Sequence, residues 1–257
     1  MEDKPFQLSA VIITYNEEKK LGDCLDSVKF ADEIIIVDAH SSDRTKEIAN
    51  RDKVKFYLRQ FDNFSAQKNY GISQAKGKWI LLLDADEQVA PSLKSEIKDV
   101  IQNRNFYVGY YIKRDNFMFG GWVRHGANAH DYQLRLIRNG AGKFNGLVHE
   151  RIEVAGQTGK LTEHLIHKTY QTLDEYFSKF NLFTSLDAQG LLRQKRTQSW
   201  ADVFLKPVAN FTYFYFFKLG FLDGMPGLIY QILSSFYLFV RNVKAIRSTT
   251  HPRRSLK

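Results

Sequence analysis

Two aspartates one residue apart, Asp84 and Asp86, close the stretch Lys78-Trp-Ile-Leu-Leu-Leu-Asp-Ala-Asp-Glu87. Carboxylate oxygens are hard ligands for a divalent cation, and a cation held by one or two of them keeps positions open for substrate phosphates. The chemistry offered is metal-assisted work on a diphosphate. Ile80 to Leu83 form too short an apolar run for a helix and read as a strand buried on both faces, as in a parallel sheet covered by helices. Ligands of open α/β sheets bind outside the carboxyl ends of the strands, where Asp84 and Asp86 would lie. A lone Asp-x-Asp is more often a solvated acidic turn after a strand, so the rest of the chain decides.

The elements that would position these acids follow a strand–helix rhythm. Leu8 to Thr14 reads as a strand, then Asn16-Glu17-Glu18 opens a helical pattern with Leu21, Cys24, Leu25 and Val28 on one face. Glu33 to Val37 repeats the strand and ends at Asp38, after which Ser42 or Asp43 can cap a helix through Ile48. Val54 to Leu58 is a third strand. Ser65 to Ala75 is a helix with Ala66, Tyr70 or Asn69, and Ile72 inward, and Pro91 starts another to about Asn103. Such alternation predicts right-handed βαβ units and a mixed, mainly parallel sheet flanked by helices, an α/β fold. Glu17, Asp38, Asp84 and Asp86 then fall at neighbouring strand ends. Asp38 can accept hydrogen bonds from a base or ribose, the Thr14-Tyr15-Asn16 turn can approach the same base, and Lys68 and Asn69 can line the pocket beside them.

Beyond residue 103 the pattern changes. Tyr107 to Arg114 and Tyr132 to Arg138 alternate as strands, separated by the glycine-rich Phe119–Gly126 segment, which reads as a mobile flap. Phe144 to Ile152 is a short segment, and Leu161 to Tyr170 predicts a last strand. From Thr172 the chain turns helical. The expected organisation is a domain over 1–170, with a nucleotide-binding half at 1–103 and an acceptor half at 104–170, followed by a helical region over 171–257.

Four motifs in order carry a family resemblance: Val11-Ile-Ile-Thr-Tyr-Asn-Glu17, Val37-Asp-Ala-His-Ser-Ser-Asp-Arg-Thr45, Gln67-Lys-Asn-Tyr-Gly71 and Leu83-Asp-Ala-Asp-Glu87. Together they resemble family 2 glycosyltransferases, which have the GT-A nucleotide-sugar fold. Phe144-Asn-Gly-Leu-Val-His-Glu150 and Gly220-Phe-Leu-Asp-Gly224 resemble the bacterial branch that adds sugars to lipopolysaccharide core, such as heptose β-1,4-glucosyltransferases. The resemblance implies a nucleotide diphosphate sugar donor, UDP-glucose first, with Asp38 on the uracil, Asp84 on the ribose and Asp86 on Mg²⁺ or Mn²⁺. An inverting transfer needs a carboxylate to take the acceptor hydroxyl's proton, and the candidates are Glu150 and then Asp131. Relatives that polymerise sugars carry Gln-x-x-Arg-Trp; its absence predicts addition of a single sugar.

The charge distribution bears on the acceptor. Of the net +9, +6 comes from Thr197 onward, where eight Lys or Arg face two Asp. Twelve Phe or Tyr lie between Phe204 and Phe239. The uncharged run Gly224 to Val240 is 17 residues, short of the roughly 20 a spanning helix needs, and Gly224, Pro226 and Gly227 predict a broken helix start. An aromatic, basic segment of this kind suits the headgroup layer of an anionic membrane, although a helical cap on the protein's own core fits too. With no secretory signal after Met1 and a lone cysteine, the expectation is peripheral attachment to the inner face of the cell membrane, with a lipid-linked saccharide as acceptor. A polyprenyl-phosphate acceptor would use the same tail. A non-catalytic membrane module leaves the strand-end acids unexplained, and those acids would repel nucleic acid. Five of the seven histidines lie between His125 and His167 without zinc-site spacing, and His125 and His130 are placed to line the flap.

Overall fold

The computed structural model describes residues 6–103, 106–146, 151–194 and 198–250. In chain order the regular elements are β1 (Leu8–Thr14), α1 (Leu21–Ser27), β2 (Glu33–Asp38), α2 (Thr45–Ile48), β3 (Val54–Leu58), α3 (Phe64–Gln74), β4 (Trp79–Asp84), β5 (Glu87–Val89), α4 (Pro91–Gln102), β6 (Gly109–Met118), β7 (Gly121–Val123), β8 (Tyr132–Arg138), β9 (Gly142–Asn145), β10 (Arg151–Val154), β11 (Thr158–Lys168), α5 (Leu173–Arg193), α6 (Trp200–Thr212) and α7 (Gly224–Thr250). They form two compact units, Met1–Asp115 with Asp131–Lys168, and Asn116–His130 with Thr169–Lys257.

The first unit is built on a sheet of order β3-β2-β1-β4-β8-β6-β11-β5. The four strands from β3 to β4 are parallel, joined by crossovers through helices, and β8 then pairs β4 antiparallel. Period-two alternation splits the strands' apolar side chains between two faces. Ala10, Ile12, Ile36, Leu81 and Leu83 meet Leu21 and Leu25 of α1 and Leu93 and Ile97 of α4. On the other face Val11, Ile35, Val37, Ile80 and Leu82 pack with Tyr70 and Ile72 of α3. Burial on both faces explains why β2 and β4 read as unbroken apolar runs.

Three local expectations are corrected. The most buried face of α3 carries Ser65, Gln67, Lys68 and Gly71 rather than Ala66. Its polar end lies over the strand ends, and its other end needs a glycine: a Cβ at Gly71 would lie 2.4 Å from Val11 Cγ1. The Phe119–Gly126 segment is a hairpin, because β7 pairs back on the end of β6 with Phe117 opposite Trp122. The C-terminal helix starts at Gly224 and runs through Pro226, since a proline in the first turn gives up only an N–H that has no intrahelical acceptor.

Within the second unit α5 and α6 both pack on α7. Phe180 stacks on Phe236, and the hydroxyls of Tyr176 and Tyr237 donate to the Leu233 carbonyl and to Asp187. Thr172 caps α5, and Ser199 with Asp202 forms a capping box on α6. No described helix is long and apolar enough to cross a membrane.

Candidate active site

Strand register brings the predicted acids together. Thr14 pairs with Asp38 and Ile13 with Asp84, so the carboxyl ends of β2, β1 and β4 carry Asp38, Thr14 and Asp84 side by side. The Asp38 side chain, 1 % exposed, accepts from Ser41 through both oxygens: the backbone N–H at 2.8 Å and the hydroxyl at 2.5 Å. Asn16, at φ 53°, donates its N–H to Ser41 Oγ and accepts from Ser42 N–H. Glu17 N–H donates to Thr45 Oγ1, and Glu18 N–H to Asp43. The loops after β1 and β2 are thereby one hydrogen-bonded rim. Tyr15 stands 57 % exposed on it, and Thr14 Oγ1 is buried with no hydrogen-bond partner among the described residues.

Beneath the Asp-x-Asp lies a charge network that no motif pointed to. Arg135, on β8 and buried, donates to Asp84 Oδ2 at 2.6 Å and also to Glu87, which is fully buried. Arg114 Nη1 is 3.2 Å from Glu87 Oε1, and Glu87 also accepts the Asp84 N–H. Lys68 Nζ lies 3.2 Å from Asp84 Oδ1, without the alignment of a hydrogen bond, and over the Phe144 ring. Burial would raise the Asp84 pKa, but the charges of Arg135, Lys68 and Arg114 outweigh it and hold the carboxyl well below its usual range. Asp84 is therefore an anchored anion with one side toward Lys68. Cys24 lies below, its sulfur 3.8 Å from the Asp84 carbonyl; burial first, then Glu87, Asp86 and Asp84, pushes its thiol pKa up.

Asp86 turns another way. β5 pairs β11 with Glu87 opposite His167, and this sets His167 Nε2 3.5 Å from Asp86 Oδ2. Burial disfavours imidazolium, yet the adjacent Asp86 carboxylate outweighs it and raises the His167 pKa. One carboxylate oxygen beside one imidazole nitrogen suits a divalent ion such as Mn²⁺. Among the described residues no group of three or more His, Cys, Asp or Glu could hold a metal. Asp86 and His167 are the residues that would hold a divalent cation, and diphosphate and water would have to supply the rest of its ligands.

Of the two base candidates, Glu150 lies outside the described residues, as does His149. Asp131 accepts from Arg114 through both oxygens, at 3.0 and 2.9 Å, and from Gln133 at 2.9 Å. The Asn69 amide exchanges two hydrogen bonds with the Phe144 backbone and braces β9. His164 pairs with Asp115, while His125, in the other unit, has Nδ1 2.6 Å from Asp223. His130 is exposed. Arg135, Arg114 and His167 escaped the sequence reading of the site, and Glu87 entered it only as the last residue of a motif; the one available signal was an arginine inside the apolar run Leu134–Ile137 of a predicted strand.

Comparison with known proteins identifies the family and the fold. The chain is 28% identical over 262 residues to LpsC of Rhizobium meliloti, a lipopolysaccharide core biosynthesis glycosyltransferase, covering 93% of this chain and 94% of the relative. It is 26% identical to an uncharacterized glycosyltransferase of Rickettsia bellii, with 93% and 85% covered. The mannosyltransferase PcManGT of Pyrobaculum calidifontis, solved in complex with GDP-Man and Mn²⁺, superposes with a TM-score of 0.56 at 12% identity, over 95% of this chain and 88% of that one. At that identity the likeness shows the fold, GT-A. The profile of glycosyl transferase family 2 matches residues 9–156, more than half of the sequence, and the chain belongs to that family of glycosyltransferases.

Proposed function

We propose that the protein is an inverting, metal-dependent hexosyltransferase that moves one sugar from a nucleotide diphosphate sugar, UDP-glucose first, to a lipid-linked acceptor of the lipopolysaccharide-core type at the inner face of the cell membrane. The observation that carries this reading is the alignment of Thr14, Asp38 and Asp84 on three adjacent parallel strand ends, with Asp86 and His167 immediately beyond. The unpartnered Thr14 hydroxyl and the exposed Tyr15 ring favour a nucleoside at the rim. Thr14, Tyr15, Asn16, Glu17 and Asp38 form the base end of the site, Asp84 with Lys68 the ribose and phosphate end, and Asp86 with His167 the residues that would hold Mg²⁺ or Mn²⁺. A divalent cation, when bound, offsets the negative charge that builds on the leaving diphosphate. Arg135 keeps Asp84 ionised and fixed, so its oxygens are ready to accept from a sugar hydroxyl. Glu150 is the proposed base, with Asp131 second. The name of the Rhizobium relative supports a lipopolysaccharide-core acceptor, and the donor and metal of the Pyrobaculum enzyme support this class of donor.

Calorimetric titration of UDP and UDP-hexoses, with Mn²⁺ and then with chelator, tests the donor side. Metal-dependent binding that Asp86→Ala abolishes is the expected result. Equal binding with and without chelator overturns the role of Asp86, and no binding of any uridine nucleotide overturns the assignment of Asp38 and its rim.

A further inference from the structure

Exposed apolar side chains of the second unit form a dense cluster at the turn between α6 and α7, which continues the exposed Trp200, Phe204, Leu205 and Val208 of α6. A π-helical turn, Tyr213–Phe217, passes through Lys218 and Leu219 into a 3₁₀ turn, Gly220–Asp223. Phe216, Phe217, Leu219, Phe221, Leu222 and Met225 are 44–74 % exposed. Soluble surfaces scatter such residues singly, whereas here six fall within ten positions. The backbone that presents them is unusual twice over, in the π turn and in Leu219 at φ 60°, a left-handed conformation that a leucine rarely adopts. Strain of this kind persists where the surroundings hold it and a function uses it.

Charge around the turn has one sign. From Val203 to the C-terminus Asp223 is the only acid. Its side chain is 5 % exposed and turned inward, accepting the His125 N–H at 2.8 Å with Nδ1 of the same residue 2.6 Å away. Lys218 and Arg124 are exposed, and the Lys218 carbonyl accepts the Gly126 N–H, which ties the turn to the hairpin carrying Arg124. An apolar tip with cations at its base and its carboxylate withdrawn complements an anionic bilayer: aromatic and aliphatic groups below the headgroups, cations against the lipid phosphates. A second copy of the chain would set these cations against their like, which is unfavourable.

We propose that this turn is where the chain seats in an anionic phospholipid membrane, inserting Phe216, Phe217, Phe221 and Leu222 and setting Arg124 and Lys218 at the phosphates. The inference deepens, and for its purpose rests on, the lipid-linked acceptor proposed above. It assigns attachment to the turn rather than to the basic tail beyond α7.

The test uses the full chain in flotation with vesicles of phosphatidylethanolamine and phosphatidylglycerol, and with vesicles of phosphatidylcholine alone. The double variant Phe217→Ser/Leu222→Ser should weaken partition into anionic vesicles by about tenfold or more, while UDP and Mn²⁺ binding stays as in the parent. Phe217→Trp should be quenched by brominated anionic lipid above the level of the parent's own tryptophans, a readout that survives if the double variant misfolds. Unchanged partition of a folded double variant, absence of extra quenching, or equal binding to neutral vesicles overturns the proposal. So does a parent that forms a dimer broken by the double variant and ignores vesicles. Vesicle binding through the turn without nucleotide binding would sustain this inference and sink the proposed donor chemistry.

Discussion

Replacing Arg135 by methionine tests whether the network under Asp84 holds the site together. Arg135 is the sole described side chain bonded to both Asp84 and Glu87, and Glu87 is fully buried. Removing one partner of a buried ion pair costs about 3–5 kcal/mol, because a charge is left in a poorly solvating place. Here Arg114 remains 3.2 Å from Glu87, and Lys68 3.2 Å from Asp84, so the lower end, about 3 kcal/mol, is expected. Adding Glu87→Gln removes the stranded charge, and the double variant should be less destabilised than the sum of the singles by about 1 kcal/mol or more. Urea unfolding would be followed by Trp79 fluorescence in a background with Trp122→Phe and Trp200→Phe, so that the signal reports the first unit. A loss below about 1 kcal/mol, or strict additivity, would refute the reasoning.

His167→Ala should weaken Mn²⁺-dependent UDP binding and leave metal-free binding unchanged; equal affinities for parent and variant in Mn²⁺ would remove His167 from the metal site. Glu150→Gln should leave donor affinity nearly intact and lower turnover by about two orders of magnitude or more, and near-normal turnover would pass the role to Asp131 or another group. Glu33, at the opposite end of the sheet, accepts from Ser9, Lys55 and the Lys76 N–H; burial works against its charge, but these donors win and lower its pKa. Its stabilisation is present above the unfolded carboxyl value of about 4.3 and is lost as pH falls through the lower folded value. Glu33→Gln should therefore cost about 1–2 kcal/mol at pH 7, with the gap closing below about pH 4 and donor binding untouched. A gap independent of pH would contradict this.

The strands of the first unit were legible because burial on both faces writes itself as unbroken runs such as Ile34–Val37 and Ile80–Leu83. The parallel order followed from the helices between them. The inward face of α3 was legible only in part: Tyr70 and Ile72 pack on the sheet as expected, but Lys68 and Gly71 face inward because of a carboxylate and two valines that only the fold brings near. The hairpin at Phe119–Gly126 was hidden by its glycines, which loops and tight turns share. Arg135, Arg114 and His167 were missed for one reason. They lie 17 to 81 residues from the acids they meet, and a spacing argument sees only neighbours. The grouping of residues 116–130 with the C-terminal helices likewise left no mark in composition or periodicity.

Cys24 gives the first unit a built-in gauge of breathing. Buried under the end of β4 with its thiol held protonated, it should resist alkylation while the sheet end is closed and react when that end opens. The ratio of its labelling rate to that of an unstructured thiol then measures the free energy of local opening beside Asp84, with no denaturant present. Donor and metal, if they bind the closed form alone, must slow the labelling by the factor 1 + [L]/Kd. The single thiol would thus report ligand affinity through protection, without any assay of sugar transfer.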